Sequence, residues 1–338
     1  MRRSWPLVGA LLVAVVGLAG CANSSGSGSA SPSTSSTSVA STTTTVASSG
    51  AGTWSKALRL APGSNLSVVS CPVEDLCVAA STAGQSFRLS GLSRAVIGAV
   101  GTAPAPAGTS YLSCTTPTFC LAVPNVNQAV TFNGTSWVNP FTIAAAQGFE
   151  AVSCVGTNWC ITIDGEGNSF VYNGSSWSGN VGAWGAANEI SCVTSSFCVA
   201  VEGGTTLWDG QTWTQPGESD SVGQLNSVSC ATTSFCMAVD SAGDALEYNG
   251  TAFSAPQPVA SEPALAGSNA SGLTGVSCPT PTFCRAVDSL GRVFGFNGTS
   301  WSKGTLLAKG SAMTSISCPS VRYCAAVDRE GDAFVSNS

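Results

Sequence analysis

Fifteen cysteines and no histidine set the chemistry open to this chain. Fourteen of the cysteines form seven pairs, Cys71-Cys77, Cys114-Cys120, Cys154-Cys160, Cys192-Cys198, Cys230-Cys236, Cys278-Cys284 and Cys318-Cys324, each with five residues between its members. Such pairs either ligate a metal or close disulfides. Zinc needs four converging ligands, and this chain has no imidazole to supply any of them. A disulfide asks less: a Cys ending one strand must face a Cys starting the next, at a cross-hairpin Cα separation of about 4.5 to 5.5 Å.

The missing histidine also removes imidazole general bases and Ser-His-Asp triads. Carboxylates remain. Asp164, Glu202, Asp240, Asp288 and Asp328 each stand four residues after the second Cys of a pair, with Ser81 and Pro124 at that place in the first two copies. Two readings follow. An Asp with Gly three residues later caps its own backbone in a turn; alternatively, the acids form a ring at a channel mouth that attracts a cationic group, reinforced by Glu166, Asp244, Glu330 and Asp332. Serine precedes every first Cys, at Ser70, Ser113, Ser153, Ser191, Ser229, Ser277 and Ser317. Crowding at a converging axis explains a small residue there, and hydroxyls lining a bore are the alternative.

These residues belong to a repeat whose pairs start 43, 40, 38, 38, 48 and 40 residues apart, a period that suits a four-stranded propeller blade. In the sixth copy, Leu273 to Ser302, short β-type runs end at Cys278, begin at Cys284, and continue from Arg292 to Phe296 and from Trp301. Asn297-Gly298 marks a tight hairpin, expected as type I′, in which both central residues take positive φ. The same signal recurs at Asn133-Gly134, Asn173-Gly174 and Asn249-Gly250, with Asp209-Gly210 in copy four. Trp54, Trp137, Trp177, Trp213 and Trp301, with Phe253 in copy five, hold the fourth-strand position; filling space between sheets is the favoured role, glycan stacking the alternative. Trp159, Trp184 and Trp208 fall outside that position and are expected to mark a contact surface.

The seventh copy stops after its third strand, and the missing piece is at the other end. Gly52-Thr53-Trp54-Ser55-Lys56 matches the Gly298 to Lys303 segment and has no blade of its own. The expected fold is therefore all-β: a seven-bladed propeller of four-stranded antiparallel blades over residues 51–338, closed by the N-terminal strand completing the last blade, which also removes an open sheet edge.

Residues 1–20 read as a signal peptide: a basic start at Arg2 and Arg3, then an apolar run too short to span a bilayer. Leu18-Ala19-Gly20-Cys21 resembles the lipobox of bacterial lipoproteins, which implies cleavage before Cys21 and lipidation of it. Residues 21–50 are Ser/Thr-rich and uncharged, a disordered tether reaching about 30 Å. Loss of Arg2 and Arg3 from twelve basic residues against eighteen acidic ones leaves a net charge near −8, which disfavours nucleic acid and anionic lipid surfaces as partners.

From its Val-Ser-Cys and Gly-Thr-x-Trp elements the repeat resembles Cys-stapled propellers of exported proteins in high-GC Gram-positive bacteria. It is distantly similar to tectonin-type repeats, which combine a Val-Ser strand, a D-x-x-G turn and a tyrosine-Asn-Gly element and lack the cysteine pairs. That resemblance implies the propeller fold and leaves the ligand open. The expected function is a non-catalytic, membrane-anchored recognition or scaffolding module on the outer face of the cytoplasmic membrane, acting as a monomer, without cofactor or metal. Its partner would be a cell-wall glycan, a peptide or an envelope protein. The alternative is a propeller hydrolase or lyase acting on glycans through a carboxylate pair.

Overall fold

The computed structural model describes residues 52–100, 110–124, 127–143, 148–182, 185–215, 223–260 and 272–337. The leader, Cys21 and the tether lie outside the described residues. Every regular element described is a β-strand, and the strands form seven antiparallel sheets, six of them ordered by sequence from the axis outward. Blade six is representative: Leu273–Thr280 innermost, then Phe283–Asp288, Arg292–Phe296 and Thr305–Leu306. Its second strand is buried almost throughout, because it is covered on both faces by the neighbouring blades. In blade three the outer strand shrinks to a bridge between Trp177 and Tyr172, continued by hydrogen bonds from Ser178 N to the Val171 carbonyl and from Val181 N to that of Ser169.

The ring closes as the sequence leads one to expect. Leu58–Arg59 pairs with Asp332–Asn337, making the last sheet a four-stranded one, and Trp54 bridges Ser336. The match to other blades extends to single bonds. Ser55 N donates to the Val335 carbonyl and Ser55 Oγ accepts from Val335 N; Ser302 makes the same reciprocal pair with Gly295, and Ser254 with Glu247.

All seven disulfides join the expected partners. Their Cα separations, 3.9 to 4.1 Å, fall below the expected range. The first Cys of each pair turns its amide away from its partner and towards the neighbouring blade, so the pairs are non-hydrogen-bonded ones, where strands run closest.

The hairpin turns differ from expectation in kind. Gly134, Gly174, Gly210, Gly250 and Gly298 have φ between 93° and 99°, but the preceding Asn or Asp does not; among the described residues Asp75 is the one non-glycine with positive φ. Gly is therefore the first central residue of the turn, the pattern of type II′ rather than I′. The side chain before it caps the turn, as Asn297 Oδ1 accepts from Thr299 N and Ser300 N at 3.0 and 2.9 Å. These turns pack on the disulfide loops, Gly298 against Thr282 and Gly134 against Thr118, so both features share one face of the ring.

Candidate functional site

The inner strand of a propeller blade has one edge that no strand covers, and its amides need partners. Here side chains of one blade meet the inner-strand amides and carbonyls of the next in three tiers, of which the first is complete. In the tier nearest the disulfides, the serine before each first Cys accepts from the amide of the corresponding Cys one blade on. Cys114 N donates to Ser70, Cys154 N to Ser113, Cys192 N to Ser153, Cys230 N to Ser191, Cys278 N to Ser229, Cys318 N to Ser277 and Cys71 N to Ser317, all at 2.9 to 3.0 Å. Small size alone is therefore not what the position requires; it requires a hydroxyl acceptor.

Two residues earlier, the middle tier is incomplete. Ser227 accepts from Val276 N at 3.0 Å, Ser315 from Val69 N at 3.2 Å, and Glu189 takes the serine role for Val228 N at 3.1 Å. In the third tier Thr274, Thr314, Asn188 and Asn226 donate to the carbonyls of Met313, Leu66, Leu225 and Leu273 at 2.7 to 2.9 Å. The two upper tiers enclose a cavity of about 190 Å³ on the axis. Glu189 lines it, half-buried and surrounded by protein, and burial pushes its carboxyl up to about 7 against the hydrogen bonds from Ser227 and Val228. Glu189 is not among the residues expected from the repeat. Aligning the seven copies exposes it, since the others hold Val68, Tyr111, Ala151, Ser227, Gly275 and Ser315 there.

The expected acidic positions share the face opposite the disulfides, at the ends of the second strands. Asp164, Asp240, Asp288 and Asp328 are buried, and each Oδ1 accepts two amides of its own turn, two and four residues on, at 2.8 to 3.1 Å. Gly167, Gly243, Gly291 and Gly331 follow with φ of 82° to 94°, and a Cβ on Gly291 or Gly331 would also collide with the carbonyl of Ala308 or Ala61. This is the turn geometry, with the four carboxylates directed into the protein. Glu202 differs. Ten residues rather than twelve separate Cys198 from its cross-strand position at Trp208, and the shortened Glu202-Gly203-Gly204 turn borders a cavity of about 250 Å³ with Gly185 and Trp213. Glu150 lies near: burial first, then the charges of Glu202 and Asp164, raise its carboxyl above the usual range.

The repeated tryptophans fill the space between blades, each packing against the preceding sheet. Trp137 Nε1 donates to Ser86 Oγ at 2.8 Å and Trp213 Nε1 to Ser169 Oγ at 2.9 Å. Two of the interfaces that lack this pairing leave a buried polar atom without a partner, in complementary ways. Trp177 meets Ala129 and its indole nitrogen is buried without a partner, while Thr205 Oγ1 is orphaned where blade five offers Phe253. Trp208 and Trp159 correct the expectation of a contact surface. Trp208 is buried against Trp213 in the place of Tyr172 and Tyr248, and Trp159 packs into the same core in the place of Phe197 and Phe235. Trp184 lies outside the described residues. The arginines are committed elsewhere: Arg292 pairs with Asp288 at 2.6 Å, Arg322 with Glu74 at 3.2 Å, and Arg285 is buried over the Phe283 ring.

On the rim, between blades five and six, an open groove of about 670 Å³ is walled by Phe296 and Trp301 with Glu247, Asn249, Ser254 and Gln257. Ala245 lies beneath it, where blades one and three carry the serine that takes an indole N–H.

Blade count, strand order and the strand shared between chain ends define a seven-bladed β-propeller. No family model matches the chain, and no curated protein does. Solved propellers do. The chain is similar to a structure described as YCF48 bound to D1 peptide, at 14% identity and a TM-score of 0.65, covering 84% of this chain and 97% of that one. It is likewise similar to YCF48 from Cyanidioschyzon merolae, at 12% identity, a TM-score of 0.63 and coverage of 84% and 98%. U3-55K matches at 10% identity with a TM-score of 0.69, over 84% of this chain and 98% of that one. At such identities the likeness concerns the fold.

Proposed function

We propose that the chain is a lipid-anchored recognition or scaffolding module on the outer face of the cytoplasmic membrane, whose partner is a peptide or protein segment. The groove between blades five and six carries this reading. An aromatic wall from Phe296 and Trp301, flanked by the carboxylate of Glu247 and the amides of Asn249 and Gln257, offers an apolar anchor site with polar partners around it. One acid and no base in its walls suit a neutral or basic segment. A similar propeller bound to a peptide supports the class of partner, and Leu18 to Cys21 supports the anchor. Titration with a panel of basic, neutral and acidic peptides tests it: saturable binding lost in Trp301→Ala is expected, and binding indifferent to that change overturns the groove. For the anchor, Cys21→Ala should release the protein from membranes into the medium.

One observation favours a second reading, a glycan hydrolase or lyase: Glu202 lines the 250 Å³ cavity, and its charge helps to raise the carboxyl of Glu150. That reading requires turnover of a wall glycan that Glu202→Gln abolishes; no turnover by the unaltered protein removes it.

A further inference from the structure

The axial cavity has a chemistry that neither the peptide groove nor the turns explain. It lies towards the acid-turn face, because its third-tier residues follow Leu225, Leu273 and Met313, which pair with Asp240, Asp288 and Asp328. The serine–cysteine tier stands on its other side.

Its walls offer several hydrogen-bond acceptors, and the Glu189 carboxylate among them takes hydrogen bonds from Ser227 and Val228 N. Thr314 gives its hydroxyl hydrogen to the Leu66 carbonyl at 2.7 Å and Thr274 to that of Met313 at 2.9 Å, so each keeps lone pairs. Asn188 and Asn226 donate through Nδ2 to carbonyls of the next blade at 2.7 Å, and their amide oxygens remain as acceptors. Into this set Glu189 places one carboxylate, and no basic side chain lines the cavity. Tyr111, from blade two, is the other titratable group on the wall; the acid of blade three at this strand end, Glu150, interacts with Glu202 and Asp164. A desolvated carboxylate without a counter-charge is costly to keep.

We propose that the axial bore is a binding site for a primary ammonium group, with the Glu189 carboxylate as its counter-charge and the Thr and Asn oxygens as its hydrogen-bond acceptors. A single positive charge with three N–H donors matches one carboxylate in an acceptor-lined wall. A divalent ion fits less well, since Ca²⁺ takes six to eight oxygens and usually several carboxylates, and no metal-holding group of three acidic, His or Cys side chains occurs among the described residues. Binding needs the ionised carboxylate, so it weakens as pH falls below about 7. This site is separate from the rim groove, and either can fail without the other.

The test titrates the full chain with n-butylamine, followed by ligand-observed NMR, with 1-butanol and NaCl as controls. Saturable binding at about pH 8 is expected, falling at least about tenfold at about pH 5.5 as the carboxyl protonates. Glu189→Gln should abolish it, Glu189→Asp should weaken it, and Glu74→Gln, which removes an exposed acid of the first disulfide loop, should leave it unchanged. Equal binding of butylamine to Glu189→Gln, displacement by NaCl at equal concentration, or absence of saturation would each overturn the proposal. Parallel titrations with Nα-acetyl-lysinamide and putrescine separate a protein side chain from a free amine as the source.

Discussion

Ser317 Oγ accepts the amide of Cys71 at 3.0 Å, and this bond joins the last blade to the first across 246 residues of chain. It repeats, between chain ends, the contact made six more times between consecutive blades. Closure therefore rests on the outer strand donated by Leu58–Arg59 and on inner-strand side-chain bonds, of which this one is joined by Val69 N to Ser315 and Thr314 to the Leu66 carbonyl.

Replacing any serine of this ring with alanine should cost about 1 to 2 kcal/mol, because a buried amide loses its acceptor. Urea unfolding of Ser191→Ala and Ser317→Ala checks this. Similar losses in both are expected, since both remove one bond of the same geometry; no loss in either would show that water replaces the hydroxyl.

The mismatched blades should be repairable. Ala129→Ser offers the Trp177 indole the acceptor that Ser86 gives Trp137, and Phe253→Trp offers Thr205 the donor it lacks. Each should stabilise by about 0.5 to 1.5 kcal/mol. A double-mutant cycle with Trp177→Phe should cancel the first gain; a gain that survives the cycle comes from packing instead.

Stability should also change with pH in a defined direction. The Glu189 carboxyl stands at about 7 in the fold against an ordinary 4.5, so between those values the folded state binds more protons than the unfolded one. The contribution of this group is then fully present below about pH 4.5 and is lost as pH rises to about 7, by no more than about 3 kcal/mol. Glu150, Asp244 and Asp332, also raised mainly by burial, act in the same sense. The difference between the unaltered protein and Glu189→Gln, measured by denaturant titration across this range, isolates the bore.

Each disulfide closes a short loop, so losing one pair, as in a Cys278→Ala, Cys284→Ala double variant, should cost roughly 2 kcal/mol by the chain-entropy relation. Calorimetry should show a lowered melting temperature with the ring retained. Reduction of all seven should be far more damaging than any single loss.

Much of this architecture was legible in the residues because a repeat reports itself. Seven Cys pairs at a blade-length period specify seven hairpins, and the orphaned Gly52–Lys56 segment specifies where the ring closes. Turn chemistry was partly legible: Asp164 and Asp288 with their glycines form the expected turns, whereas the Asn-Gly hairpins place Asn one position earlier than type I′ would. That distinction depends on backbone dihedrals, and the same dipeptide serves both turn types.

The order of local pairing, strand against strand and cysteine against cysteine, is set by the sequence itself, since those partners lie within one unit and its spacing fixes their register. What each unit does to the next was decided by the tertiary structure alone. A serine reads as small until the ring brings the next blade's amide to it, Trp177 and Thr205 show their missing partners only when sheets face each other, and Glu189 becomes a lone charge in a bore only once seven inner strands surround one axis. Contacts between blades join residues about forty positions apart through space, and no local propensity encodes which atoms will meet there.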